Sequence, residues 1–190
     1  VTVPSLPGEE GRLVLLHDEE AVARAVARMA GRLDEGLAGA SSVLLLGLLT
    51  GGVYATVWLS ARLASPHRLE FLKVGRYGAG ARGGDVVWGG ALPACGAGTT
   101  VVVVDDVFDE GLTLAAVRAR IARTGARVLT AALVRKARAR PADVPEPDVV
   151  GLEAPDEWLV GCGLDCRGWG RHYPAIYALR PAEPERPSPV

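Results

Sequence analysis

Val101-Val102-Val103-Val104-Asp105-Asp106-Val107-Phe108-Asp109-Glu110-Gly111-Leu112-Thr113 is the stretch on which the fold turns. Four consecutive β-branched residues with no polar alternation suit a strand buried on both faces of a parallel sheet. The run stops on two carboxylates, and acid-Gly-Leu-Thr then leads into a helical pattern. Ligands of open parallel sheets gather at the carboxyl ends of the strands. In the loop from Asp109 to Thr113, backbone N–H groups can converge on one point at the positive end of the following helix. Gly111 lets the main chain approach closely, and the Thr113 hydroxyl adds a donor. A phosphate suits that point. Asp105 and Asp106 accept hydrogen bonds only, which suits sugar hydroxyls or a hard cation such as Mg²⁺. An apolar strand ending in Asp-Asp also occurs in doubly wound folds whose acids merely cap the next helix, and spacing alone leaves both readings open.

Working outward, Asp18 is placed to cap a helix in which Val22, Val26, Met29 and Leu33 recur at helical spacing, with Gly36 as its stop. Val43 to Gly47 reads as a buried strand, followed by Thr50-Gly51-Gly52 and a helix over about 53–64. Glu70 to Gly75 is a further strand, after which residues 75–90 are glycine-rich with little apolar periodicity. Loops of that length in compact domains are usually functional or mobile. Val101 to Asp105, a helix from Leu112 to Arg123 closed by Gly125, and Val128 to Val134 make a βαβ unit. Short strands are expected at Val149–Leu152, Leu159–Gly163 and Ala175–Leu179. This alternation predicts an α/β fold with a mostly parallel central sheet flanked by helices.

The 190 residues suffice for one domain with a substantial core, residues 1–12 and 181–190 being Pro-rich and expected to be irregular. A net charge of -1 and dispersed arginines argue against nucleic acid as a partner. No apolar run approaches membrane-spanning length and no signal-like segment is present, so a cytoplasmic location is expected. The three cysteines are an odd number at irregular spacing. Cys162, Cys166 and His172 lack a fourth metal ligand and read as ordinary residues.

Beyond spacing, the central stretch resembles the signature by which type I phosphoribosyltransferases bind 5-phosphoribosyl pyrophosphate (PRPP): hydrophobics, two acids, two hydrophobics, Asp, a small residue, Gly, one variable residue and Thr. Along most of its length the chain is similar to hypoxanthine-guanine phosphoribosyltransferases of bacterial form. That resemblance implies the type I fold with a small hood made by the terminal segments. It also implies transfer of phosphoribose from PRPP to a 6-oxopurine, with Mg²⁺ as cofactor and a homodimer or homotetramer as the assembly. The alternatives are a xanthine-preferring relative, or a regulator of the same fold that senses PRPP or a nucleotide and binds nucleic acid or protein.

The resemblance also assigns roles. Asp105, Asp106, Asp109, Glu110, Gly111, Leu112 and Thr113 would hold the ribose and 5′-phosphate, with Asp109 exchanging a proton with the purine. Thr50 and Gly51, in a loop that often holds a non-proline cis peptide, would bind pyrophosphate together with Arg171. Arg76 and Tyr77 match the start of a lid, Arg76 being similar to a bacterial variant. Lys136 matches the lysine that meets the purine O6, although Arg135 beside it leaves the register open by one residue. Trp158 would cover the base and Leu159 read its edge through main-chain groups. Asp165, with Asp105 and Asp106, would be associated with the metal. Glu110 departs from the threonine of many relatives, and its side chain is expected to point away from the phosphate.

Overall fold

All four valines of the central run are fully buried, and what lies on each side of them sets out the architecture. The computed structural model describes residues 6–8, 11–76 and 86–181. β5 (Thr99–Phe108) lies between β2 (Ser42–Leu49) and β6 (Arg127–Ala137), parallel to both. Parallel β3 (Arg68–Arg76) and β7 (Val149–Pro155) extend the sheet outward, and β4 (Val86–Trp88) runs antiparallel along β3, giving the order β4-β3-β2-β5-β6-β7. Val102 and Val104 pack with residues of α1 (Glu19–Leu37) and α2 (Val53–Ser60), while Val101 and Val103 pack with residues of α3 (Leu112–Ala122). Both faces of β5 are therefore covered, which is why its sequence shows no alternation.

The two ends of the chain build a second sheet. β1 (Gly11–His17), β9 (Ile176–Pro181) and β8 (Trp158–Val160) pair antiparallel in the order β1-β9-β8. Leu159, Ile176 and Ala178 join the core under α1, whereas Leu13, Val160 and Tyr177 form a separate cluster with Leu6 and Cys166. This is the small hood expected of the type I fold. Gly11, Arg12 and Pro181, expected to be irregular, are strand residues of the hood.

Other boundaries moved for identifiable reasons. Asp18 does cap α1, accepting from the Ala21 amide at 2.7 Å. Gly36, expected to stop that helix, lies inside it, and the first left-handed residue is Gly39. α2 ends at Ser60 instead of near 64 because the Asp34 carboxylate takes the Ala64 and Ser65 amides at 3.0 and 3.1 Å and draws the chain away. β8 stops at Val160 because Gly161, Cys162 and Gly163 all adopt positive φ, which no strand continues. Within the glycine-rich segment, Val86-Val87-Trp88 forms β4, too short to show a period. Tyr77 lies outside the described residues, and Arg76 is the last residue of β3.

Candidate active site

β5 and β6 run on to Phe108 and Ala137, past their expected ends at Asp105 and Val134, and this creates the site. β2 pairs with β5 only as far as Gly47 opposite Val104, then turns away at Thr50. β6 stays paired through Asp105–Ala132, Val107–Val134 and Phe108–Arg135. Hence the strand does not end at Asp105 as expected: Asp105 and Asp106 both lie within β5, with one edge open and facing the Thr50-Gly51 turn. That turn is tight against them. The Leu49–Thr50 peptide bond is cis, and a Cβ on Gly51 would overlap the Asp106 carboxylate.

Two cavities adjoin at the end of β5. The first, about 240 Å³, is lined by residues 107–114 with Asp105 and Arg138. Gly111 turns the chain into α3 at φ 78°, where a side chain would meet the Phe108 ring and Val144 within 2.7 Å. The second cavity, about 180 Å³, lies between Asp106, Val107, Asp109 and Lys136 on the sheet side and Trp158, Leu159, Leu164 and Asp165 on the hood side. Trp158 is 58% exposed, and its indole N–H donates to the Asp165 carbonyl at 2.9 Å. Leu159 is buried. Asp109 lines both cavities. Its two carboxylate oxygens are held separately, one by Lys136 Nζ at 3.0 Å and the other by the Arg138 guanidinium. Burial would raise this carboxyl, but the two cations outweigh it and hold Asp109 below the usual carboxylate range.

Lys136 and Arg135, between which the sequence leaves the purine contact open, face opposite ways, as successive strand residues do. Lys136 enters the second cavity, while Arg135 turns to Glu153 and Glu146 at 2.8 and 3.0 Å. Sequence reasoning missed Arg138 and Arg140. Arg140 lies over the Phe108 ring, 4.5 Å from its centroid, and donates to the carbonyls of Phe108, Asp109 and Lys136 at 2.9, 2.6 and 2.5 Å. It ties the ends of β5 and β6 together. The signal was present: Lys136, Arg138 and Arg140 alternate with alanines at period two, which in extended chain shares one face.

At the far side of Asp106, the hood supplies Asp165 and Arg171. These pair with each other at 2.5 Å. Arg171 also donates to the Gly163 carbonyl at 2.6 Å, and Asp165 accepts from the Gly168 amide at 2.6 Å. Gly163 itself lies against the Gly51 carbonyl so closely that a Cβ would overlap it. The Thr50-Gly51 turn, Asp106 and the Asp165–Arg171 pair therefore converge. Among the described residues no group of three or more His, Cys, Asp or Glu forms a metal cage. The donor chemistry nonetheless suits Mg²⁺, which is commonly held by one or two carboxylates together with substrate phosphates. Asp105 and Asp106 are adjacent carboxyls that burial raises, Asp105 well above its ordinary value and further through repulsion by Asp106. A divalent cation would relieve that repulsion.

A phosphoribosyl transferase domain model matches residues 15–167. The chain belongs to that family. Among proteins similar to this phosphoribosyltransferase, the hypoxanthine-guanine phosphoribosyltransferase of Aquifex aeolicus is 32% identical over 173 residues, spanning 88% of this chain and 95% of that protein. The hypoxanthine phosphoribosyltransferase of Salmonella typhimurium is 33% identical over 138 residues, 72% of this chain and 77% of that one. In three dimensions, the hypoxanthine phosphoribosyltransferase of Staphylococcus aureus matches with a TM-score of 0.81 at 26% identity, covering 88% of this chain and 91% of its own.

In a phosphoribosyltransferase free of ligand, the raised pair carries a stability cost of definite sign. A carboxyl whose folded value lies above its unfolded value favours the fold at low pH, and that contribution is lost as pH rises through the folded value. Asp105→Asn removes the repulsion and is expected to raise the thermal midpoint by roughly a few degrees near neutral pH without Mg²⁺. The gain should vanish as pH falls below the ordinary carboxylate range. Melting curves across pH test this, and a midpoint lowered at neutral pH would contradict it. Cys162 plays no part here: burial, then Glu19, pushes its thiol up to about 12. It lies in the main core and Cys166 in the hood cluster.

Proposed function

We propose that this chain is a purine salvage enzyme that transfers the 5-phosphoribosyl group from PRPP to hypoxanthine or guanine, releasing pyrophosphate and giving IMP or GMP. The observation that carries this is Asp109 standing at the junction of two cavities, one on a phosphate-ready loop and one beneath an exposed tryptophan with a lysine in its wall.

The first cavity takes the 5′-phosphate and ribose, on the backbone of residues 109–113 and the Thr113 hydroxyl. In the second, Trp158 covers the purine, main-chain groups at Leu159 read its edge, and Lys136 donates to the O6 carbonyl. An ammonium has no acceptor, so it favours a 6-oxo group over the 6-amino group of adenine. The Thr50-Gly51 turn and Arg171 receive pyrophosphate, the guanidinium fork suiting its oxygens. Asp109 accepts the proton from the imidazole edge as the purine nitrogen attacks C1 of the ribose. Mg²⁺, held with PRPP by Asp105, Asp106 and Asp165, would supply charge stabilisation for the departing pyrophosphate. Positioning does the remainder, since holding two reactants in line removes much of the entropic barrier. We place the protein in the cytoplasm as a homodimer or homotetramer. Among the described residues no helix is long and apolar enough to cross a membrane.

The test supplies purified protein with Mg²⁺ and PRPP and, separately, hypoxanthine, guanine, xanthine and adenine. Rapid nucleotide formation with either of the first two and little with adenine is expected. Xanthine as the preferred base would move the assignment to a xanthine enzyme, and no product with any base would overturn it.

A further inference from the structure

Asp109 is held by two cations, and each belongs to a different cavity. Lys136 lines the second cavity and not the first, whereas Arg138 lines the first and not the second. Arg138 is also the only cationic side chain on the first cavity among the described residues, where the acids Asp105, Asp109 and Glu110 stand with it. Its Nε reaches toward Asp156 at 3.7 Å, just before the hood strand that carries Trp158. Each oxygen of Asp109 accepts from one cation, and each cation lowers the basicity of the acid toward an incoming proton donor for as long as it stays.

We propose that Arg138 is a ligand for the phosphate of the phosphoribosyl substrate, and that Arg138 and Lys136 form a double lock on Asp109 in which each substrate withdraws one cation. This rests on the proposed function. A phosphate entering the first cavity competes with Asp109 for Arg138, offering more oxygens to the guanidinium fork than one carboxylate oxygen does. A 6-oxopurine entering the second draws Lys136 to its carbonyl. With both bound, both cations are drawn off and Asp109 recovers its full basicity, whereas in either binary complex one of them still holds it. Arg138 also accounts for Glu110. A carboxylate on the wall of a phosphate site raises its cost, and a guanidinium on the same wall offsets it. The charges bearing on Asp109 are thus Lys136 and Arg138 directly, with Glu110 and Asp156 acting on Arg138.

Steady-state kinetics of Arg138→Gln, Arg138→Lys and Lys136→Gln test this, with thermal melts to verify folding. Arg138→Gln is expected to raise KM for PRPP roughly ten- to hundredfold, the loss of a charge-assisted contact, and to leave KM for hypoxanthine within about twofold. Arg138→Lys keeps the charge and recovers part of the loss. Lys136→Gln reverses the pattern between the two substrates. Ribose 5-phosphate, which fills the first cavity without a purine, is expected to bind Arg138→Gln at least several-fold more weakly by calorimetry, and Lys136→Gln no more weakly than wild type. An unchanged KM for PRPP in Arg138→Gln, or equal rises for both substrates, overturns the inference. A wild-type protein that makes no nucleotide would instead overturn the function on which it rests.

Discussion

Asp109→Asn is expected to lower turnover by roughly 10²–10⁴-fold, the range typical for removal of a positioned general base, while the affinity for PRPP stays within a few-fold. The amide is isosteric but cannot accept a proton to become neutral, so the purine nitrogen would have to lose its proton to water. PRPP affinity is not lost because the phosphate-facing backbone of residues 109–113 and Arg138 both stay in place, and Arg138 is relieved of its carboxylate partner. Part of the charge balance does change. Lys136 and Arg138 lose the acid that pairs with them, and an Asp held below its unfolded value stabilises the fold above that value and loses the contribution as pH falls through the folded one. The variant should therefore melt somewhat lower at neutral pH, by an amount reduced by the partial exposure of the carboxylate. Single-turnover rates at saturating substrates separate this from the chemical loss. Near-normal turnover in a folded variant would remove Asp109 from the proton-transfer role.

The parts of this site that were legible in sequence are those set by local chemistry. Four valines announced a strand buried on both faces and Asp18 announced a helix start; Gly111 was read only as a place where the main chain approaches a ligand, and its φ of 78° with Phe108 where a Cβ would sit is what the fold adds. What escaped was set by partners distant along the chain. β5 was read as ending at Asp105, but pairing with β6 carries it to Phe108, and no local signal in β5 foretells where β6 ends. Arg138 meets Asp109 across 29 residues of sequence, and the alternation that groups it with Lys136 and Arg140 looks from sequence like ordinary surface charge. β1 and β4 were missed for a similar reason: each is a strand only because β9 or β3 lies alongside. The Lys136 or Arg135 ambiguity was a register question, and strand register is a property of pairing.

Gly163→Ala is expected to cost about a hundredfold or more in kcat/KM for PRPP, although residue 163 is assigned no contact with substrate. Two constraints meet at this glycine. Its φ of 102° is a conformation that L side chains rarely adopt, and a Cβ there would overlap the carbonyl of Gly51. The obstacle is backbone on both sides, so no rotamer relieves it. The Gly51 turn in turn rests against Asp106, leaving no slack on its other side. The added methyl must therefore push the hood away from the sheet or displace the Thr50-Gly51 turn, and either shift separates Arg171 from the turn with which it would hold pyrophosphate. A displacement near 1 Å at a reacting centre can lower rate by about a hundredfold, and overpacking of this kind costs roughly 1–3 kcal/mol of stability. The loss should fall on PRPP and on pyrophosphate in the reverse direction, with purine binding changed less, because Lys136 and Trp158 do not touch this contact. Gly39→Ala is the control, since this residue after α1 has a positive φ of 77° but open space around its Cα and lines neither cavity, and it should show the conformational cost in stability without the kinetic one. Equal kinetic losses in the two variants would mean that backbone strain, and not the seat of the pyrophosphate turn, is what Gly163 protects.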